Sequence, residues 1–276
     1  MIVDCHTHIN FTGDEVSLAE HPAATEADTV DVCIVLAAAG KSSQETNKAL
    51  SEYVSKYEEK TIGFAVVEPT KDNISTKNLS VLAEKMGLAG TVLYCSENGF
   101  HPAHSRAMRF YESAEELGLP VFFHSGSADG LESILSYGQP YLLDEVARTF
   151  PELKIVIGTM GVPFVEQTLS MAAKHKNVYA DLTINPSRVW QVYNTVIAAH
   201  EQGVMDKLLF GSGYPQGKAE ECIETLLGFN KLLGDTNLPA VPRGNIRNII
   251  ERNTLELLGI KKDLAKPEQK EISSNA

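Results

Sequence analysis

Residues 1–9 read MIVDCHTHI, a short apolar entry that runs straight into His6-Thr7-His8. In a strand, side chains two apart point to the same face, so His6 and His8 stand together at the end of a first strand. Neutral imidazoles are ligands for zinc and similar transition metals, and two at one strand end make half of a metal site. The same pair would also suit two histidines facing a polar rim. These nine residues leave both readings open, and only the rest of the chain can decide between them.

Working outward, a polar loop at 10–20 and a short helical stretch at 22–28 lead to seven further apolar runs. They are 30–38 (VDVCIVLAA), 61–68 (TIGFAVVE), 90–95 (GTVLYC), 120–125 (PVFFHS), 153–159 (LKIVIGT), 178–184 (VYADLTI) and 206–211 (DKLLFG). Helical patterns separate them, at 44–60, 74–86, 105–117, 142–150, 164–175 and 186–200. Two more, at 218–233 and 246–258, close the chain. The 105–117 helix should stop at Gly118 through C-cap geometry. Short, continuously apolar runs are what strands buried on both faces look like, and strict alternation with helices implies parallel pairing. Eight such units close into a (β/α)8 TIM barrel. A doubly wound sheet is the competing architecture, but no glycine-rich turn comes after the first strand. Gly40-Lys41-Ser42 resembles the tail of a phosphate-binding loop, yet Val35 stands where that motif needs its first glycine.

One domain is expected, a barrel over 1–260, with residues 261–276 as a polar tail of mixed charge and no apolar period. The 276 residues and 43% apolar content suffice for a sizeable core. A net charge of −12 argues against nucleic acid or an anionic membrane surface as the partner and leaves a small-molecule substrate or anion. No apolar run is long enough to span a bilayer, and no basic stretch with an apolar core opens the chain. The four cysteines (Cys5, Cys33, Cys95, Cys222) have no CxxC spacing, as expected of free thiols in a reducing cytoplasm.

In such barrels the chemistry sits at the C-terminal ends of the strands. Those ends carry His6 and His8, Ala38, Glu68, Tyr94, His124, Thr159, Asp181 to Thr183, and Ser212-Gly213. Three histidines from the first and fifth strands therefore converge on one mouth. Glu97 comes just after the fourth strand and could supply an acid, although a solvated loop glutamate is the simpler expectation. Asp181 suits a hydrogen-bonded structural carboxylate better than a base. Tyr94 either binds a ligand or fills the mouth. His101 and His104 could line the mouth or serve at a helix N-terminus or on the surface. His21, His175 and His200, and the helical Glu145, read as surface residues.

The order of these pieces resembles the amidohydrolase superfamily, in detail the amidohydrolase-related group of hydrolases and metal-dependent decarboxylases. The resemblance rests on DCHTHI (4–9), GFAVVEP (63–69), GLPVFFHSG (118–126), LDEVARTFPELKIVIG (143–158), NVYADLT (177–183), LLFGSGYP (208–215) and IIERNTLELLGI (249–260). It implies that His6, His8 and His124 hold one divalent metal, zinc being the expected ion. It also marks departures. The sixth strand of that group usually ends in a histidine, where Thr159 stands here. The eighth usually ends in an aspartate, where Gly213 stands. Val92 and Tyr94 stand where a lysine and a histidine are frequent, which disfavours a second metal. Three readings are compatible with this pattern: a hydrolase-like enzyme with a reduced single-metal site, a catalytically silent barrel that binds a small anion or a protein, and a metal-dependent decarboxylase. On the first reading, restoring the acid by Gly213→Asp and adding Thr159→His should raise activity by about the 10²–10⁴ that a general base contributes.

Overall fold

Every residue of Val32–Leu36, Thr61–Val66, Val121–Phe123, Ile155–Ile157 and Leu208–Gly211 is buried. A strand with one wet face alternates, so these have protein on both sides. The computed structural model describes residues 1–9, 21, 29–40, 42–125, 131–234 and 236–261. In it Val3–His8 (β1), Val32–Leu36 (β2), Thr61–Val66 (β3), Leu88–Leu93 (β4), Val121–Phe123 (β5), Ile155–Ile157 (β6), Val178–Thr183 (β7) and Leu208–Gly211 (β8) form one sheet in sequence order. All seven ladders are parallel. The ring closes through the segment after β8: Thr7 bridges Tyr214, His8 N donates to Tyr214 O at 2.8 Å, and Gly213 N donates to His6 O at 2.9 Å. This is the TIM barrel that the alternation implies.

Val35, Phe64, Val92, Phe122, Val156 and Leu209, from six different strands, meet in one buried cluster that fills the barrel. The outer layer consists of Ser43–Lys56 (α1), Thr76–Glu84 (α2), Ser105–Glu116 (α3), Asp144–Thr149 (α4), Val165–Lys174 (α5), Val189–Glu201 (α6), Ala219–Leu227 (α7), Arg243–Ile250 (α8) and Thr254–Leu257 (α9). α3 shows the logic. Ala107, Phe110, Tyr111 and Ala114 recur at helical spacing and are all buried against the sheet. His104 caps its start by accepting from Arg106 N. At its end Gly118, at φ +66°, donates to Glu115 O while Leu119 N donates to Ala114 O, a Schellman stop. Phe110→Ala would cost about 3–5 kcal/mol.

The structure trims several expected boundaries. β5 and β6 are three residues each, because the chain leaves the ladder where the site begins. The closing helix breaks into α8 and α9 around residues 251–253, and the 218–233 pattern ends as helix at Leu227 and continues as a 3-10 turn, Phe229–Leu233. The expected loop at 10–20, helix at 22–28 and nearly all of the tail lie outside the described residues. All four cysteines are buried free thiols. No described helix is long and apolar enough to cross a membrane.

Candidate metal centre

β1 delivers two of the three imidazoles. Its register against β2 shifts between Asp4 and Thr7, so one extra residue of β1 is taken up across Cys5 and His6, at the first histidine. Such bulges re-aim side chains beside sites. Here His6 and His8 still reach the same mouth, with their Nε2 atoms 3.0 Å apart. His124 lies just past β5, held by its backbone N–H donating to Leu93 O. The ligand atoms of His6, His8 and His124 all lie within 4.8 Å of one another.

The hydrogen bonds set the tautomers. His6 Nδ1 meets Asp181 Oδ2 at 2.5 Å, and His8 Nδ1 meets the Leu36 carbonyl at 3.3 Å. A carboxylate and a carbonyl only accept, so both Nδ1 atoms carry the hydrogen and both Nε2 atoms present lone pairs. Asp181 is fully buried and also accepts from Thr183 Oγ1 (2.6 Å) and Thr159 N (3.0 Å). Burial would raise its pKa, but His6 and these hydrogen bonds outweigh that and hold it below the ordinary value. Burial, reinforced by the nearby His6 and His124 rings, pushes His8 well below the usual histidine range. Burial also lowers His124; Glu97 pulls the other way and His6 adds to the lowering.

Two lone pairs cannot face each other at 3.0 Å unless a proton or a cation lies between them. A shared proton is opposed by the depressed basicity of His8. His124 adds a third imidazole within reach of the other two, and its Nδ1 faces the Glu97 carboxylate at 3.6 Å. The donor set therefore fits a transition-metal ion bound by neutral imidazole nitrogens. The His6–Asp181 pair is the outer support such a ligand needs, because it fixes the orientation and tautomer of the ring.

A cavity of about 390 Å³ opens over the centre, and His6, His8, Tyr94, Glu97, His124, Thr159 and Gly213 all border it. Tyr94 is buried, donates to Ala37 O at 2.8 Å and lays its ring 4.6 Å from that of His124. It shapes the wall. Glu97 is not the solvated glutamate expected: its side chain is 21% exposed and Oε1 lies 3.6 Å from His124 Nδ1. Asp181 sits behind His6, away from the cavity lining. Thr159 has φ +47°, a conformation costly for a β-branched residue, and its N–H bond to Asp181 holds it there. Gly213 has φ +67°, and a Cβ added to it would come within 2.6 Å of Thr183 Cγ2.

Several expectations are corrected. His21 is not a surface residue but is fully buried, with Nε2 3.1 Å from Thr7 Oγ1 and its ring against Tyr53 and Tyr214. His175 pairs with Asp144 at 2.8 Å, and His200 is half-buried. Of the roles left open for His101 and His104, His104 takes the helix N-terminal one by capping α3 and His101 accepts from Ala103 N, and neither is among the residues that line the cavity over the centre. Glu145 is exposed, as expected. Thr183 has no separate role in the sequence reading, although its spacing of two from Asp181 places both on one face of β7. Its hydroxyl lies within hydrogen-bond reach of Asp181, His6 and Thr159. A second cavity of about 270 Å³ shares Thr159 and Thr183 with the first and is bordered by Asn185, Arg188 and Gln191. Nothing in the sequence singles out that arginine.

A family model described as amidohydrolase matches residues 3–260. No curated protein matches the chain. Solved structures with this fold include a probable 2-pyrone-4,6-dicarboxylic acid hydrolase from Acinetobacter baumannii with citric acid bound. It is 17% identical, with a TM-score of 0.66 over 94% of this chain and 99% of that one. The 5-carboxyvanillate decarboxylase of Sphingomonas paucimobilis is 15% identical, with a TM-score of 0.64 over 94% and 99%. The corresponding enzyme of Novosphingobium aromaticivorans, with bound manganese and 3-methoxy-4-hydroxy-5-nitrobenzoic acid, is 13% identical, with a TM-score of 0.61 over 94% and 97%.

Proposed function

The chain belongs to the amidohydrolase family, and on that premise we propose that it is a hydrolase-like enzyme. It holds one divalent metal on His6, His8 and His124 and acts on a small carboxylate-bearing molecule. The observation that carries this reading is the pair of Nε2 lone pairs 3.0 Å apart, each fixed by a partner on the far side of its ring. A bound divalent ion would supply Lewis acidity to a carbonyl or water oxygen. Zinc suits three neutral nitrogens, and manganese is the ion bound in one structural relative.

The chain's own residues divide the remaining work. Asp181 holds His6 in its tautomer, and Thr183 and the Thr159 backbone keep Asp181 ionised. The Thr159 and Thr183 hydroxyls border both cavities and offer hydrogen bonds to a ligand that spans them. Arg188 is exposed at the second cavity and makes no ion pair among the described residues. A guanidinium in that position matches a carboxylate by its bidentate geometry. The ligands bound in two structural relatives, citric acid and a substituted nitrobenzoic acid, are of that class.

Decarboxylation is the second reading, favoured by the same arginine, since it would hold a substrate carboxylate beside the centre. The test is a panel of small lactones, carboxylated esters and hydroxybenzoates, assayed with zinc- or manganese-loaded protein. Chelator-sensitive consumption that disappears in His8→Ala is expected, and the product, a ring-opened acid or carbon dioxide, separates the two chemistries. Metal-loaded protein that binds members of the panel but consumes none would instead establish a silent binding barrel.

A further inference from the structure

We infer that the second cavity selects an elongated carboxylic acid. One end of the ligand meets the histidine centre, and the other, joined to it by an apolar stretch, is a carboxylate held by Arg188. The inference rests on the metal-centre reading above and narrows the class of acid it takes. Asp181 and Thr183 face His6, so Leu182 and Ile184, which alternate with them along β7 and just past it, face out of the barrel. There they pack with Val192 and Val196 of α6. The second cavity is bordered by Leu182, Ile184 and Val192 and so lies outside the sheet, beneath α6, while the histidines lie in the mouth. Thr159, Thr183 and Gln216 border both spaces and form the sill between them.

The second observation comes from α6. A helix of the outer layer turns an apolar face to the sheet. Here Arg188, Gln191, Val192 and Thr195, spaced by three and four residues, share one face, and all four border the cavity. Three of the four are polar. Thr195 is 5% exposed, and its side chain makes no hydrogen bond among the described residues. A buried hydroxyl left unpaired is costly, so at a cavity wall it calls for an oxygen or nitrogen partner from within the cavity. Arg188 adds a cation at the start of the same face, and Met160 and Ile184 border the cavity with apolar surface. At about 270 Å³ the space falls below the roughly 300–1,000 Å³ of a small-molecule pocket, so it suits one part of a ligand. The mouth, at about 390 Å³, is at the low end of that range. A compact acid fits the mouth alone and never reaches Arg188; a longer one crosses the sill.

Zinc-loaded wild type, Arg188→Gln and Thr195→Leu would be titrated by calorimetry with succinate, adipate and suberate. These dicarboxylates differ only in the length of their apolar middle. Suberate is expected to bind about 10–100-fold more tightly than succinate, the gain of a charge-assisted contact at Arg188. In Arg188→Gln that gain disappears and the acids bind alike. Thr195→Leu fills the outer cavity from α6 and removes the gain as well. Stripping the zinc should weaken suberate, because one of its ends sits at the centre. Affinity that ignores chain length, or a suberate advantage that survives Arg188→Gln, overturns the inference and leaves the metal centre standing. Suberate bound as tightly without zinc lies wholly in the outer cavity and also overturns it. A wild type that takes up no zinc overturns the metal-centre reading, and the inference falls with it. Arg188 is exposed, so Arg188→Gln should unfold at the wild-type urea midpoint, and it decides the matter if Thr195→Leu fails to fold.

Discussion

Asp181 is the residue on which the centre turns, because it decides which nitrogen of His6 keeps its hydrogen. Asp181→Asn replaces an acceptor with a group that is half donor, facing the Thr159 N–H, the Thr183 hydroxyl and His6 Nδ1–H. We expect about 1–3 kcal/mol of destabilisation in urea unfolding and a roughly 10–100-fold loss of metal affinity by chelator competition. Unchanged affinity would show that the His6 tautomer does not matter. By the same reasoning His6→Ala is not the benign ligand deletion that its strand-end position suggests, since it strands a buried carboxylate. His8→Ala and His124→Ala are the cleaner probes. Residue chemistry is partly legible in the sequence. The spacing of His6 and His8 is a property of any strand, and His124 ends an obvious apolar run. The position of Glu97 is not legible, because a loop glutamate carries no periodicity that says which way it points. His21 escapes the sequence for a related reason: a polar neighbourhood along the chain says little about burial in space.

At the level of elements, the closure of β8 onto β1 explains why restoring the family acid is not a simple substitution. A Cβ at Gly211 would collide with Asp181 and lie 2.9 Å from His6 Cβ, so this end of β8 runs hard against the site. Two residues on, Gly213 donates to His6 O from a left-handed conformation. Gly213→Asp is therefore expected to cost at least about 1–2 kcal/mol for the backbone alone, before Thr183 is displaced from its hydrogen bonds. Metal affinity should not improve, contrary to what the order of motifs suggests. Thr159→His is the opposite case, because histidine tolerates φ > 0 better than threonine does. It should fold with wild-type stability and bind zinc more tightly than wild type, both measurable in the same competition assay. Weaker binding would mean that the β6 end no longer faces the ion. The strands are readable because burial on both faces leaves no polar residue to blur them. The broken closing helix is not, because Ile246 to Leu258 keeps an apolar pattern across a kink that only tertiary packing imposes.

For the molecule as a whole, buried histidines tie stability to pH. Burial pushes His21 down to about 4 from its ordinary 6.5, and His8 and His124 are also lowered. As pH falls through 6.5 the unfolded chain takes up these protons first, so metal-free stability is lost between about pH 6.5 and 4. His21 alone accounts for about 3 kcal/mol over that window. Asp4 works against this. Its carboxyl is raised to about 6 by burial, so below that pH the folded chain holds the extra proton. Three histidines outnumber one carboxyl, and the urea midpoint at pH 5 should lie below that at pH 7; an equal or higher value would contradict the burial of these rings. The barrel itself is legible from eight apolar runs in strict alternation with helices, a pattern few architectures satisfy. The most direct test of the account is the metal content of protein purified without chelators, measured by elemental analysis beside His8→Ala and His124→Ala. We predict close to one transition-metal ion per wild-type chain and well under half of that in either variant. Wild type without stoichiometric metal, or variants that retain it in full, would contradict the claim that these three histidines form a metal centre.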